Sequence, residues 1–182
     1  EIDYLHFHNH LEVGFCYYGE GTVTFKEDIP FDGNMFTVIP KNFPHTTTST
    51  GDSVSYWEWL FIDADKFLRE VYKDNPRMAQ KVIDRVNKRA HFVRVQDKPQ
   101  IGALVQQIIE CMRERKEFYL EEVKGLTLAF LLQVARWNRE EAEKPEFEAG
   151  NTSLITPAID YISEYCDRPI KVEELAAMCH IS

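Results

Sequence analysis

The stretch HFHNHLEVGFCYYGEGTVTF, residues 6–25, decides how the first third of the chain is read. Successive side chains of a strand alternate between faces. His6, His8, His10 and Glu12 therefore share one face if the strand is continuous. Three imidazoles and a carboxylate on one face are an inventory of metal-ligand types. Gly19-Glu20-Gly21 reads as a tight hairpin connection into a second run, Thr22 to Lys26. His45 follows in the turn-rich run P-K-N-F-P-H, whereas His91 and His180 show no partners in the sequence.

Working outward, the first 62 residues are short runs of β-branched and aromatic residues broken by Gly, Pro, Asn and Asp. Tyr4 to His8, Glu12 to Tyr18, Thr22 to Lys26, Met35 to Ile39, Thr46 to Ser49 and Val54 to Ile62 are strand candidates. Many short strands at close spacing predict a β-sandwich or barrel. On the last run Trp57 and Trp59 share one face, and Tyr56 and Glu58 the other. That tryptophan face either packs into the core or walls a pocket. Glu12 is the strongest functional candidate, because an acid facing an apolar interior is costly unless paired. Cys16 shares its parity and reads as a buried thiol.

From about Asp63 the apolar period changes from 2 to 3.6. Ala64 to Tyr72 and Arg77 to Lys88 are predicted helices, and His91 to Val95 one more strand. Ile101, Leu104, Val105, Ile108, Ile109 and Met112 mark a helix over 98–116. Val123, Thr127, Phe130, Val134 and Trp137, widened by Leu126, Leu128, Leu131 and Leu132, mark another over 120–143. A helix apolar on more than one face needs two partners. KPEFEAGNTS, residues 144–153, is a linker by composition.

The 182 residues correspond to about 1.2 domains on the usual prior. With 44% hydrophobic and 28% charged residues, the chain is neither disordered nor fibrous. The net charge of −9 argues against a strong nucleic-acid surface on this chain. Cys16, Cys111, Cys166 and Cys179 are too scattered for a disulfide framework, and a cytoplasmic setting fits them. No apolar run approaches membrane-spanning length, so no membrane partner is expected. No secretory signal is read, although the chain begins at Glu1 rather than Met.

His6-x-His8-x-x-x-Glu12, followed by Gly19, resembles the first motif of the cupin family, and Gly33, Pro40 and His45 resemble the second. The second motif departs in three ways: six residues separate Gly33 from Pro40, Asn42 replaces a Gly, and Ser49 replaces an Asn. The tail LITPAIDYISEYCDRPIKVEELAAMCHIS, residues 154–182, closely resembles the start of an AraC-type helix-turn-helix domain, with Ser182 as the N-cap of the next helix. Together these resemble an AraC-type transcriptional regulator along essentially the whole chain. The resemblance implies an α+β fold. A cupin-like barrel (a double-stranded β-helix) with inserted short helices would occupy 1–95. A helical dimerisation region over 96–143, the 144–153 linker and the beginning of the helix-turn-helix at 154–182 would follow.

The function so implied is regulation, not catalysis, with no catalytic residues. A small-molecule effector, a sugar or related metabolite, would contact His8, Glu12 and His45, with Trp57 on the wall. Its binding would shift the arrangement of the DNA-binding domains of a homodimer joined through helices 98–116 and 120–143. The recognition helix is expected beyond Ser182, so DNA binding belongs to the full-length protein and not to this chain. Two rival readings use His6, His8, Glu12 and His45 as metal ligands: a cupin metalloenzyme (dioxygenase or sugar isomerase), and a metal-sensing regulator. The first reading requires no cofactor; the rivals would take zinc, nickel, iron or manganese.

Overall fold

A computed structural model describes residues 5–140 and 152–181. Strands β1 (Leu11–Tyr18), β2 (Gly21–Thr24), β3 (Asp28–Phe31), β4 (Met35–Val38), β5 (Thr46–Ser49) and β6 (Tyr56–Ile62) come first. Helices α1 (Ala64–Val71) and α2 (Pro76–Val86) follow, then β7 (His91–Arg94). After a short 3-10 turn come α3 (Pro99–Glu114), α4 (Tyr119–Glu140), α5 (Thr152–Glu164) and α6 (Val172–Met178). No helix among the described residues is long and apolar enough to cross a membrane.

The strands form two antiparallel sheets, ordered β6-β1-β4-β7 and β3-β2-β5. The α+β class is as expected, and among the described residues neither sheet closes into a barrel. The two are joined by the tight β1–β2 turn and by the loop 39–45. Two single bridges reinforce that loop: His6 pairs with His45, and Glu12 with Ile39. The expected strand at Tyr4 to His8 is reduced to that one bridge at His6, with Tyr4 outside the described residues. Asp28–Phe31 is a strand the sequence did not reveal, because Pro30 and two flanking acids hide its β pattern.

β1 is buried on both faces from Leu11 to Cys16. Leu11, Val13 and Phe15 join Phe36 and Val38 in a core shared with α1 to α4. On the other face Cys16 joins Val23, Phe31, Met35 and Ile39 in a second core between the sheets. Antiparallel pairing of β1 with β6 sets Glu12 opposite Phe61, Gly14 opposite Trp59, and Cys16 opposite Trp57.

Helices α1 and α2 begin where a capping side chain supplies a missing acceptor. The Asp63 carboxylate accepts from the Lys66 amide at 3.0 Å, and the Asn75 side chain from the Met78 amide at 3.1 Å. Pro76 at the first position of α2 has no N–H to leave unpaired. Residues 141–143 of the expected 120–143 helix, and 144–151 of the expected linker, lie outside the described residues; α5 already begins at Thr152. Ser182 also lies outside them.

Gly14 is a point of close approach on the inner face of β1. A Cβ there would lie 2.2 Å from Trp59 Cζ3 and 2.8 Å from Thr37 Oγ1. The Gly14 amide donates to that same hydroxyl at 2.9 Å. Gly14→Ala should force Trp59 out of place and cost about 1–3 kcal/mol, the usual penalty of overpacking. Urea unfolding of the two proteins measures it; an unchanged midpoint would contradict this packing.

Candidate functional site

Loop 40–45 reaches back across the segment before β1. The amide of His6 donates to the His45 carbonyl at 2.9 Å, and the amide of His45 to the His6 carbonyl at 2.9 Å. The Asn42 amide donates to the His8 carbonyl at 2.6 Å. Asn42 holds φ 59, a left-handed conformation that Asn tolerates better than most side chains. This explains how Asn stands where the cupin pattern has Gly.

These backbone bonds bring four side chains together. Ligand atoms of His6, His8, Glu12 and His45 all lie within 4.8 Å of one another. The Glu12 carboxylate, only 4% exposed, sits between two imidazoles: His8 Nε2 lies 2.8 Å from Oε2, and His45 Nε2 lies 3.2 Å from Oε1. His10 stays outside the group, because the chain bends at Asn9 and His10 before β1 begins.

His45 shows a preset tautomer. Its Nδ1 lies 2.8 Å from the Phe43 carbonyl, which can only accept, so Nδ1 carries the proton. Nε2 is then left facing the carboxylate. The 3.2 Å separation is short, yet its geometry is not that of a hydrogen bond, and Nε2 has no hydrogen-bond partner. A backbone carbonyl fixing the far nitrogen is how ligating histidines are oriented. Burial holds the His8 pKa below the ordinary imidazole value; Glu12 opposes this, and His45, His6 and His10 add to the lowering. A neutral imidazole is the form that binds metal.

The four residues open into a cavity of about 190 Å³ closed by Thr47, Trp59 and Phe61. Sequence reasoning placed Trp57 at the pocket. The structure places it in the core between the sheets, where it meets Phe31 edge-on at 5.0 Å. Trp59 lines the cavity instead and is stacked on Trp57, with centroids 4.9 Å apart. Their shared parity was legible in the sequence; the absence of a Cβ at Gly14 is the signal that singles out Trp59. Elsewhere, His91 is structural: its ring stacks on Trp137 at 3.6 Å and its Nε2–H donates to Asn138 at 2.5 Å.

Beside the site, Lys41 pairs with Asp65 of α1 at 2.8 Å and with Asp160 of α5 at 4.0 Å. Burial works against its ammonium, but Asp65, Asp160 and Asp63 outweigh that and raise its pKa. The loop that carries His45 thus also touches α1 and α5.

No protein-family model and no curated protein matches the sequence. Solved structures do match the fold. ToxT of Vibrio cholerae bound to (E)-4-(8-methylnaphthalen-1-yl)but-3-enoic acid is similar at TM-score 0.57 and 11% identity, over 97% of this chain and 65% of that one. Fatty-acid-bound ToxT is similar at TM-score 0.52 and 10% identity, over 97% of this chain and 62% of that one. The AraC-like activator CuxR aligns at TM-score 0.45 and 16% identity, over 96% of this chain and 58% of that one. ToxT and CuxR are AraC-family transcriptional regulators. At these identities the likeness is one of fold. The chain spans somewhat less than two thirds of the length of these proteins.

Cys16 follows Glu12 and Gly14 on the inner face of β1, and burial pushes its thiol up to about 11. At pH 8 only about a thousandth of it is thiolate, the reactive form. Native protein should therefore keep Cys16 unlabelled by iodoacetamide at pH 8 while exposed Cys166 reacts, with labelling of Cys16 appearing only in denaturant. Mass spectrometry of the digests reads this directly; rapid native labelling of Cys16 would contradict its burial.

Proposed function

We propose that this chain is the effector-sensing part of a transcription regulator whose sensing site is a divalent-metal centre formed by His6, His8, Glu12 and His45. One observation carries the reading. A buried carboxylate and a buried imidazole nitrogen, held by separate segments, face each other without a hydrogen bond. With the His45 ring neutral both are electron-pair donors, and a cation between them turns a desolvation cost into coordination. Three imidazoles and one carboxylate suit zinc, nickel, iron or manganese.

The fold likeness to ToxT supports regulation as the role, and the ligand-bound ToxT structures support a small molecule as the signal. In this reading the bound state selects one arrangement of the C-terminal helices. Loop 40–45 is the route, since it carries both His45 and the Lys41 cation that pairs with Asp160. Homodimerisation through α3 and α4, with DNA binding in the full-length protein, belongs to the same proposal. Exposed Met112, Phe118 and Leu120 at the α3–α4 end support the first of these. The same tetrad would also serve a metalloenzyme, which substrate turnover by metal-loaded protein would reveal.

Elemental analysis of protein purified without added metal tests the centre. Close to one zinc, nickel, iron or manganese per chain is expected, with more than a tenfold loss in His6→Ala/Glu12→Ala, since losing even an outer-shell partner of a ligand costs roughly 10–100-fold. A well-folded chain that holds no metal even after incubation with each ion would overturn the reading. Light scattering at micromolar concentration on the same sample should report a dimer, and a monomer would remove the dimer proposal alone.

A further inference from the structure

The residues around the tetrad say what else the cavity accepts. Among the described residues its remaining walls are Thr47, Trp59 and Phe61, and no Lys or Arg lines it. With the imidazoles neutral, an anion entering this space would meet the Glu12 carboxylate with no cation among these walls to offset it. With a divalent ion held by three neutral imidazoles and one carboxylate, the balance reverses. One positive charge is then left over against largely aromatic walls, where an uncompensated charge is costly. A single negative charge on the ligand neutralises it.

Number and size narrow the class further. Four protein donors leave two positions on a six-coordinate ion, which suits a ligand offering two adjacent oxygens. A cavity of about 190 Å³ has room for about six waters at ~30 Å³ each, below the usual range for drug-sized ligands. Phe61 stands at the mouth, 54% exposed, so a long tail would pass it into solvent rather than into an apolar tunnel. A neutral sugar supplies no charge to neutralise the ion, and Thr47 is the one hydroxyl those three walls offer it.

Resting on the metal reading above, we propose that the open side of the tetrad binds a small chelating monoanion of the 2-oxo- or 2-hydroxycarboxylate class, with Trp59 and Phe61 as the walls beside its chelating end. The ligand binds through the ion and therefore only when the ion is present.

The test uses the whole chain loaded with Co²⁺, whose visible absorption reports its coordination. Pyruvate, 2-oxohexanoate, 2-oxodecanoate and glucose are titrated into loaded and metal-free protein. Pyruvate should change the cobalt spectrum and should not bind metal-free protein. Affinity should stay nearly flat from 2-oxohexanoate to 2-oxodecanoate, against roughly fourfold per added methylene for a buried tail. Glucose at equal concentration should leave the spectrum unchanged. Trp59→Leu should weaken pyruvate roughly three- to tenfold with cobalt affinity unchanged. Phe61→Leu, at the exposed mouth, gives a second reading should Trp59→Leu fail to fold, with a loss in the same direction. Cobalt binding without any response to pyruvate would overturn this inference and leave the metal centre standing. So would equal pyruvate binding to metal-free protein, or a steep gain with chain length. A chain that takes up no cobalt would overturn the metal centre and this inference with it.

Discussion

The Glu12 carboxylate, buried between His8 and His45, is the interaction on which the rest of the site depends. A charge taken out of water is costly unless it is met by partners. Here the partners come from two segments far apart in sequence, and backbone bonds hold them before any side chain is considered. The Glu12–Ile39 and His6–His45 bridges clamp the entry to β1 against the loop before β5. The geometry of the four donors is therefore built into the main chain, and a bound ion would find them already placed.

β1 also ties this site to the helices. Its inner face carries Glu12, Gly14 and Cys16; its outer face carries Leu11, Val13 and Phe15, which pack with α1 to α4 in one core. Close-packed interiors transmit small displacements rather than absorbing them. A shift of the backbone at Glu12 thus acts on residues that α3 and α4 also touch. Loop 40–45 offers a second connection, through Lys41 to Asp65 of α1 and Asp160 of α5. Neither connection needs a long chain of intermediates, since each is one segment with a site residue and a helix contact on it.

Much of this was legible in the residues. Strand parity, a local property, put His6, His8 and Glu12 on one face together with His10; the resemblance to the two cupin motifs set His10 aside and added His45. The helices were legible from their apolar period, and α1 and α2 from Asp63 and the Asn75-Pro76 pair. What escaped the sequence was set by contacts between segments. Whether short strands close into a barrel or form two open sheets depends on pairings at the sheet edges, which no single run encodes. Trp57 and Trp59 share a face, and only the meeting of Trp59 with Gly14 decides which one walls the cavity. His10 was grouped with the donors by parity until the bend at Asn9 broke the strand. His91 looked isolated because Trp137 and Asn138, its partners, lie more than forty residues downstream.

The central claim is that His6, His8, Glu12 and His45 hold one divalent ion. X-ray absorption at the K-edge of zinc bound at one equivalent tests it most directly, because it reads the atoms around the ion. The account predicts the multiple-scattering signature of three imidazoles, with nitrogens at about 2.0–2.1 Å, together with carboxylate oxygen at about 2.0–2.2 Å. A first shell of oxygen alone, or one containing sulfur from the cysteines, would contradict it.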